Sequence, residues 1–373
     1  MAFKINGSDV IGAARSYAST ANVSVTDSII IANNDSLDAV SGSAAGYTFS
    51  DGTVVIGEDG LALNDITLRD ASIEVTGPPV FQGTVSGYNS GGADGPSDGL
   101  TIEKFSFTSD GNATDVGDLT LQRGAASGQS SSVSGYTSGG NSGGAVNTID
   151  KFPFASNANA TDVGDLTQAR RNIGGGGQSS TVSGYTSGGF VPPAVNTIDK
   201  FPFAVNANAT DVGDLTVGRY NIAGQSSTES GYTVGGTNSN IIDKFPFAAD
   251  GNATDVGDLS IGRWGPAGQS STVSGYTSGS FQTAAGPGFG NVIDKFPFAS
   301  NANATDVGNL SQARGFSAGQ SSTTNGYTSG GQYGTTPDAV KNTIDKFPFA
   351  ADANATDVGD LTVTRSSPTG QQV

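Results

Sequence analysis

The segment Asn-Ala-Thr-Asp-Val-Gly-Asp-Leu occurs six times in this chain of 373 residues, and one copy differs, with Asn309 in place of the second Asp. A Gly-Tyr pair recurs between the copies at intervals of 44 to 51 residues. A period of this length is typical of propellers and solenoids, in which each repeat is one supersecondary unit. The repetition therefore predicts that the segment is a structural part that is used six times.

Each repeat contains four short segments with strand character. In the third repeat they read GQSSTVS, SGYTSGG, NTIDKFPF and TDVGDLT, and Gly, Asn or Pro residues separate them. No window shows a sustained apolar period of 3.6 residues, so we expect helices to be nearly absent. Six units of about 48 residues, each with four strands, predict an all-β fold, a six-bladed β-propeller that spans residues 79–373.

The two ends of the repeat region indicate how the propeller closes. The terminal RSSPTGQQV aligns with RGFSAGQSS, which begins at Arg314, so it starts a seventh first strand and stops. The segment VFQGTVSGY, which ends at Tyr88, enters the first blade with the same strand. The two ends therefore compete for, or share, one strand position, and closure by the termini removes the exposed sheet edge.

The order of the motifs resembles that of the kelch family. Gly139-Gly140 is followed by IDKF at 149–152, by a turn that contains Asn157 and by a terminal Arg170, and this order repeats along the chain. The resemblance covers roughly residues 80–373 and implies kelch-like blades. The kelch tryptophan after the Asn turn is absent. The segment TDVGDL is also similar to the Asp-box turn of sialidase-type propellers, without the aromatic residue of that motif.

The amino-acid composition disfavours or excludes several classes of partner and of functional site. Acidic residues number 34 and basic residues 17, and the net charge of −17 disfavours nucleic acid and anionic membranes as partners. The chain has no cysteine, so disulfides and thiolate metal sites are excluded. It has no histidine, which removes the commonest general base and the commonest metal ligand. No apolar run has the length of a signal peptide or a membrane span, and we expect assembly in the cytoplasm.

The segment TDVGDL supplies a pair of Asp residues in five of the six repeats, and every repeat also carries a Lys and an Arg; in the second repeat they are Asp162, Asp165, Lys151 and Arg170. Paired carboxylates are able to hold Ca²⁺ or to act as acid and base, but six catalytic pairs would each need a cleft. Asp also accepts backbone N–H groups in tight turns, where Gly164 supplies permissive dihedrals. We therefore expect a structural role with Arg and Lys paired to these carboxylates, no catalysis and no cofactor, and a Ca²⁺ site stays the alternative. The structural set is Asp115, Asp162, Asp211, Asp255, Asp306, Asp357, Arg123, Arg170, Arg219, Arg263, Arg314 and Arg365.

The repeated aromatic residues of KFPF and GYT predict contacts between blades. Phe152 and Phe154 alternate along a strand and share one of its faces, where they most simply pack against the neighbouring blade. Stacking on carbohydrate is the alternative role. The small side chains of GQSS suit the crowded innermost strand near the axis.

The repeats differ mainly in two of their four connections. With strands named A to D in chain order, the A–B and C–D links lie at one end of the antiparallel blades, and they hardly vary. The B–C and D–A links vary, and both lie at the other end, which we call the variable face. Loops on a rigid scaffold usually carry recognition, and Tyr, Trp and Arg often dominate binding. The predicted ligand-binding residues are Arg171, Phe190, Tyr220, Trp264, Phe281, Phe289, Phe316 and Tyr333. The alternative is drift in unconstrained loops.

Residues 1–78 precede the repeats and contain strand-like runs, with GPP at 77–79 as a hinge. The near-identical tandem blades, rich in Gly, Ser, Thr and Asn and without His or Cys, resemble virion proteins of bacteriophages, particularly marine cyanophages. This resemblance implies that residues 1–78 form a β-rich module for attachment or oligomerisation. The alternative is a small β subdomain that packs against the propeller.

The resemblance implies a non-enzymatic virion appendage such as a tail fibre, present in several copies per particle and assembled in the host cytoplasm. Its N-terminal module would bind other virion proteins, and its variable face would bind a host-surface glycan or protein. A capsid or tail decoration protein without a receptor role is one alternative. A glycan-acting enzyme is another, and Asp94, Asp98 and Asp338 are its candidate carboxylates. A propeller oxidase needs His ligands, which the chain lacks.

Overall fold

A computed structural model describes the chain as two units, Met1–Pro79 and Val80–Val373. The described residues of the second unit are 82–93, 99–175, 177–282, 288–334 and 339–373. In the first unit the description comprises six strands. They are β1 (Ala2–Ile5), β2 (Ser8–Ala14), β3 (Val23–Val25), β4 (Tyr47–Phe49), β5 (Thr53–Val55) and β6 (Ser72–Glu74). Strands β1 and β2 pair antiparallel, whereas β3 pairs with β4 and β5 with β6 in parallel. The predicted GPP hinge lies outside the described residues.

The second unit is a six-bladed β-propeller, as the repeat predicted. Six sheets each contain four antiparallel strands, and the part of the chain that the structure describes holds no α-helix. The strands are β7 (Ser86–Ser90), β8 (Thr101–Ser106) and β9 (Thr114–Asp118) in blade 1; β10 (Ser127–Ser130), β11 (Ser134–Ser138), β12 (Val146–Pro153) and β13 (Thr161–Arg170) in blade 2; β14 (Gly177–Ser179), β15 (Ser183–Ser187), β16 (Thr197–Pro202) and β17 (Thr210–Asp214) in blade 3; β18 (Ala223–Ser226), β19 (Ser230–Val234), β20 (Ile241–Pro246) and β21 (Thr254–Asp258) in blade 4; β22 (Ala267–Ser270), β23 (Ser274–Gln282), β24 (Gly288–Pro297) and β25 (Thr305–Asn309) in blade 5; β26 (Ala318–Ser321), β27 (Asn325–Ser329), β28 (Thr343–Pro348) and β29 (Thr356–Asp360) in blade 6; and β30 (Thr369–Gln372), which returns to blade 1.

The C-terminal strand closes the propeller. Strand β30 is the inner strand of blade 1 and pairs with β7, from Thr369 opposite Ser90 to Gln372 opposite Gly87. The two ends of the repeat region meet here, because the backbone N–H of Ser86 donates to the carbonyl of Val373 at 2.9 Å. The shared strand position therefore belongs to the C-terminus, and the residues before β7 follow a different path.

The apolar core lies between the blades. Tyr136 of blade 2 lies 5.4 Å from Phe201 and 4.9 Å from Phe203 of blade 3, measured between ring centroids. The equivalent Tyr contacts the equivalent Phe pair at all six interfaces, including the closing contact from blade 6 to blade 1. The Tyr at each interface is only 2% exposed. The prediction that the KFPF aromatics pack blade against blade is therefore confirmed.

Because of these buried tyrosines, we expect the free energy of unfolding to fall as the pH rises through the alkaline range. Burial raises the pKa of Tyr88, Tyr232 and Tyr327 to about 12, above the ordinary value of 10.0. The unfolded chain therefore loses these protons first, so this stabilisation is complete below pH 10 and is lost as the pH rises to about 12. We expect the urea midpoint to fall over that interval. The Tyr232→Phe variant should show a shallower fall, since Phe cannot ionise, and an equally steep fall would contradict this account.

The inner strands surround a narrow axial channel of about 70 Å³. Its wall contains one Gly from each blade, and these six residues leave no room for a side chain. A Cβ on Gly177, for example, would collide with the carbonyl oxygen of Gly128 in the preceding blade. The Gln that follows each of these glycines points into the next blade, as Gln129 does when it donates to the Tyr185 carbonyl at 2.9 Å. The prediction that GQSS forms the crowded innermost strand is confirmed.

Candidate ligand-binding face

The repeated segment NATDVGDL connects neighbouring outer strands. Within blade 2, the carboxylate of Asp162 accepts the Gly164 N–H at 3.1 Å in a bulge of β13. Gly164 has φ +155°, and a Cβ there would lie 2.5 Å from the Ala207 carbonyl oxygen of blade 3. The Asn208 side chain of blade 3 accepts the Asp165 N–H at 3.0 Å. Both bonds recur in all six copies.

The one copy of NATDVGDL that differs in sequence makes the same hydrogen bond to the next blade. Asn309 donates its backbone N–H to the Asn354 side chain at 3.0 Å, as the Asp at this position does elsewhere. This bond uses the main chain, so exchanging Asp for Asn leaves it intact. The segment is therefore a connecting part, in agreement with the interpretation from its repetition.

The repeated Arg makes a buried ion pair with the following blade. The Arg170 Nη2 atom lies 2.9 Å from Asp199 Oδ2, and both side chains are fully buried. Thr167 donates its N–H and its hydroxyl to the same carboxylate at 3.0 and 2.7 Å. Burial lowers the pKa of the Arg170 guanidinium, although Asp199 beside it acts in the opposite direction. The five other interfaces carry the same ion pair at 2.8–3.1 Å, with Glu103 as the acid in blade 1.

This partner differs from the prediction, which paired the Arg with the Asp residues of TDVGDL. The bulge turns Asp162 toward its own backbone at the outer surface, whereas the Asp of IDKF lies on the buried face of the third strand. The missed signal was present in the sequence, since an acid occupies the second position of IDKF in every repeat.

The repeated Lys is also held in place. Lys151 Nζ lies 5.8 Å from the ring centroid of Tyr136, and four other blades show the same cation–π contact. At three interfaces the Lys pairs with an exposed Asp of the next blade, as Lys200 does with Asp250 at 2.9 Å. Within the described ranges, no group of three or more acidic residues is placed to hold a metal ion. Asp94, Asp98 and Asp338 lie outside the described residues.

The variable face contains a continuous row of aromatic side chains. From centroid to centroid, Phe190 lies 5.0 Å from Tyr220, which lies 5.9 Å from Trp264. Trp264 in turn lies 5.9 Å from Phe281. The row is completed by Phe289, 5.2 Å from Phe281, and by Phe316, 6.3 Å from Trp264. We call these six residues the aromatic arc, and each of them is half-buried.

The structure thus brings together seven of the eight predicted residues. Arg171 joins the arc at one end, where its guanidinium lies 5.6 Å from the ring centroid of Phe190. Tyr333 lies apart, 46% exposed, and contacts Lys341, whose Nζ is 4.6 Å from its ring centroid.

Backbone pairing holds the arc in position. The residue after each repeated Arg pairs with the B–C link of the following blade. Arg171 and Phe190 exchange two backbone hydrogen bonds, at 3.2 and 2.7 Å, and Trp264 and Phe281 exchange two at 3.0 and 2.7 Å. Tyr220 accepts the Thr237 N–H at 3.1 Å. The described segments that carry these residues therefore extend the blades by backbone pairing.

The second residue after each Arg has a left-handed backbone, and one of these residues is Phe316 with φ +56°. A bulky residue is rare in this conformation and is strained by about 1–3 kcal/mol. Asn172 and Asn221, which tolerate the conformation better, occupy the same position in other links. The Phe316 ring packs where a side chain of Gly265 would lie. Strain of this kind concentrates at functional sites.

The arc occupies one half of the variable face. Its residues belong to blades 3, 4 and 5 and to the link into blade 6. On the other half the equivalent pairing positions carry small or polar residues. They are Ala93, Gly124, Asn141, Gly315, Gln332 and Ser366. The described B–C and D–A links contain no acidic residue, although the chain has a net charge of −17. The face is therefore divided into an aromatic half, with Arg171 at its edge, and a small polar half.

Comparison with protein-family models and with curated proteins finds no match. Among the described residues, no helix has the length and apolarity that crossing a membrane requires.

Proposed function

We propose that this chain is a non-enzymatic phage virion protein, a tail fibre or another appendage, and that its aromatic arc binds a host-surface ligand. The observation that supports this most strongly is the arc, in which non-repeated aromatic side chains of five links, from the B–C link of blade 3 to the link into blade 6, form a row of contacts. Trp, Tyr and Arg are enriched among the residues that dominate binding energy. The other motifs of the propeller repeat six times, whereas the aromatic residues of the arc do not repeat in every blade.

The rigid scaffold supports a binding role. The repeated Asn, Arg and Gln side chains make hydrogen bonds and ion pairs between blades, and the repeated Asp of the outer strand accepts a hydrogen bond within its own blade. The aromatic rings pack on one another and on paired backbone, so little side-chain freedom is lost when a ligand binds. Several copies on one particle would raise the overall affinity, since linked weak sites bind more tightly than each site alone.

The virion assignment rests on two resemblances in the sequence. The kelch-like order of motifs is consistent with the six four-stranded blades, and the Gly-rich, His-free repeats are similar to phage virion proteins. Within this proposal, the N-terminal unit binds other virion proteins and the variable face binds the host.

The first experiment locates the chain. Immunogold electron microscopy with an antibody against the full-length chain should label the tip of a tail or fibre on phage particles. Label scattered over a capsid shell would instead support a decoration protein without a receptor role. Absence of label from every particle would contradict the virion assignment.

The Trp264→Ala variant should lose host binding. Purified wild-type chain is expected to block phage adsorption by occupying the host receptor, and the variant to need a far higher concentration, since a central Trp contributes about 2 kcal/mol or more. Gln332→Ala, on the small polar half, is the matched control and should block like wild type. Equal blocking by Trp264→Ala would contradict the assignment of the arc.

The Phe316→Asn variant separates binding from stability. Asn relieves the left-handed strain and removes a half-buried ring, so we expect the free energy of unfolding to change by no more than about 1 kcal/mol. Adsorption blocking should weaken, because the arc loses one ring. A large loss of stability with unchanged blocking would show that Phe316 serves packing alone.

A further inference from the structure

We infer that the ligand of the aromatic arc is a saccharide that carries a carboxylate, and that Arg171 and Phe190 form the subsite for this group. The inference rests on the proposed function and specifies its ligand. Three observations support it: the absence of a described carboxylate beside the Arg171 guanidinium, the distribution of charge among the described residues, and the row of partly exposed rings in the arc.

Arg171 differs from the six repeated arginines. Those six are buried and paired with an acid of the next blade. Arg171 is half-buried, and no carboxylate in the described ranges lies within ion-pair distance of it. Its guanidinium lies over the Phe190 ring, 5.6 Å from the ring centroid, which is a cation–π contact. A guanidinium held in this way can still donate two parallel hydrogen bonds to a carboxylate.

The surrounding charge favours an anion at this position. No described residue of the B–C and D–A links is acidic, so none of these described residues competes with a ligand carboxylate for Arg171. The described acids lie in the strands, in the C–D links and, as Glu229, in one A–B link. At 0.1 M salt, where the Debye length is about 10 Å, the repulsion between these acids and an anionic ligand is screened. A ligand with one carboxylate near Arg171 therefore gains a local ion pair despite the acidic net charge of the chain.

The rest of the arc fits a sugar chain. No arc residue lines the axial cavity of about 70 Å³, and each arc residue is partly exposed to solvent. Enclosed pockets suit small molecules, whereas an open row of rings suits an extended polymer. Aromatic rings stack on the C–H faces of sugar rings, and the hydroxyl of Tyr220 adds a polar contact. A carboxylated sugar at Arg171 would thus place its neighbours along Tyr220 and Trp264.

The test uses tetragalacturonic acid and its fully methyl-esterified form as probes, with the full-length chain in isothermal titration calorimetry. The two probes share the same sugar backbone, and the ester replaces each carboxylate by an uncharged methyl ester. We expect the acid to bind at least tenfold more tightly than the ester. Arg171→Gln should reduce acid binding to the level of the ester and leave ester binding unchanged, whereas Trp264→Ala should weaken the binding of both probes.

Two further variants keep the result interpretable. Lys341→Gln removes the other loop cation that stacks on an aromatic ring, outside the arc, and should leave both affinities unchanged. Arg171→Lys keeps the charge without the paired donors and should give intermediate affinity for the acid, and it replaces Arg171→Gln if that variant fails to fold. Equal affinity for acid and ester, binding of neither probe, or acid binding that Arg171→Gln leaves unchanged would overturn the inference.

Failure of the inference is distinguishable from failure of the proposed function. In one outcome the chain blocks adsorption through Trp264, protease treatment of the host cells abolishes binding of the chain, and periodate treatment does not. The partner is then a protein. The inference then falls and the proposed function stands. If Trp264→Ala blocks adsorption like wild type, the proposed function itself falls.

Discussion

Replacing Asp199 with Ala is expected to lower the free energy of unfolding by about 3–5 kcal/mol. The substitution leaves the fully buried Arg170 guanidinium without its anion and removes the acceptor of two hydrogen bonds from Thr167. Chemical unfolding in urea, followed by circular dichroism, measures this loss. The effect is large because an uncompensated buried charge must be desolvated, whereas an exposed ion pair contributes less than about 1 kcal/mol.

Two substitutions within the chain are controls. Asp199→Glu keeps the charge and introduces the acid that blade 1 already uses as Glu103, so its loss should be much smaller. Asp250→Asn breaks the exposed ion pair with Lys200 and places an Asn where blade 2 has Asn157, so it should stay within about 1 kcal/mol of wild type. If Asp199→Ala cost no more than Asp250→Asn, the buried pairs would not hold the blades together.

Deleting residues 368–373 is expected to remove most of the net stability, which for a folded domain is about 5–15 kcal/mol. The deletion removes β30 and leaves blade 1 with three strands. It also removes Gln371, which donates to the Tyr136 carbonyl of blade 2 at 2.9 Å. The edge of β7 becomes exposed, and an exposed edge promotes aggregation. Thermal unfolding and size-exclusion chromatography measure both effects.

A synthetic peptide with the sequence of residues 366–373 should partly restore the melting temperature of the truncated chain, since an extended peptide adds a strand to an open edge. A scrambled peptide is the control. An unchanged melting temperature after truncation would show that closure by β30 is dispensable.

The sequence determined the architecture because its repeats have a period. The four strand-like segments of each repeat and the return of GQ at the chain end led to six four-stranded blades closed by β30. The KFPF pair was placed correctly because alternation along a strand puts Phe152 and Phe154 on one face. The structure was needed to decide which end of the repeat region supplies the closing strand, since the sequence assigns both ends to the same strand position.

The partner of the repeated Arg was not predictable from the repeats alone. Asp162, Asp165 and Asp150 recur with nearly the same regularity, so repetition does not distinguish between them. The bulge in the outer strand decides which carboxylate turns outward and which acid faces the Arg. The left-handed position of Phe316 likewise leaves no trace in the sequence, because Ala, Asn, Gly, Phe and Ser all occupy it.

The candidate site was predictable as a face and not as a set of contacts. Because the four strands of a blade are antiparallel, the B–C and D–A links lie at the same end of the blades. All eight predicted residues belong to these links and therefore lie on one face. Contacts between them depend on loop length and on which links are adjacent around the axis. The pairing of Arg171 with Phe190 and the isolation of Tyr333 therefore emerged only from the structure.

The most direct test of the central claim compares the binding of full-length variants to an array of bacterial surface polysaccharides and envelope proteins. Wild type and Asn141→Ala, which alters the small polar half, should bind the same spots with equal strength. Trp264→Ala and Tyr220→Ala should lose at least tenfold at each of those spots, about 1.4 kcal/mol. Equal binding by all four proteins, or loss of binding in Asn141→Ala alone, would contradict the claim that the aromatic half of the variable face is the binding site.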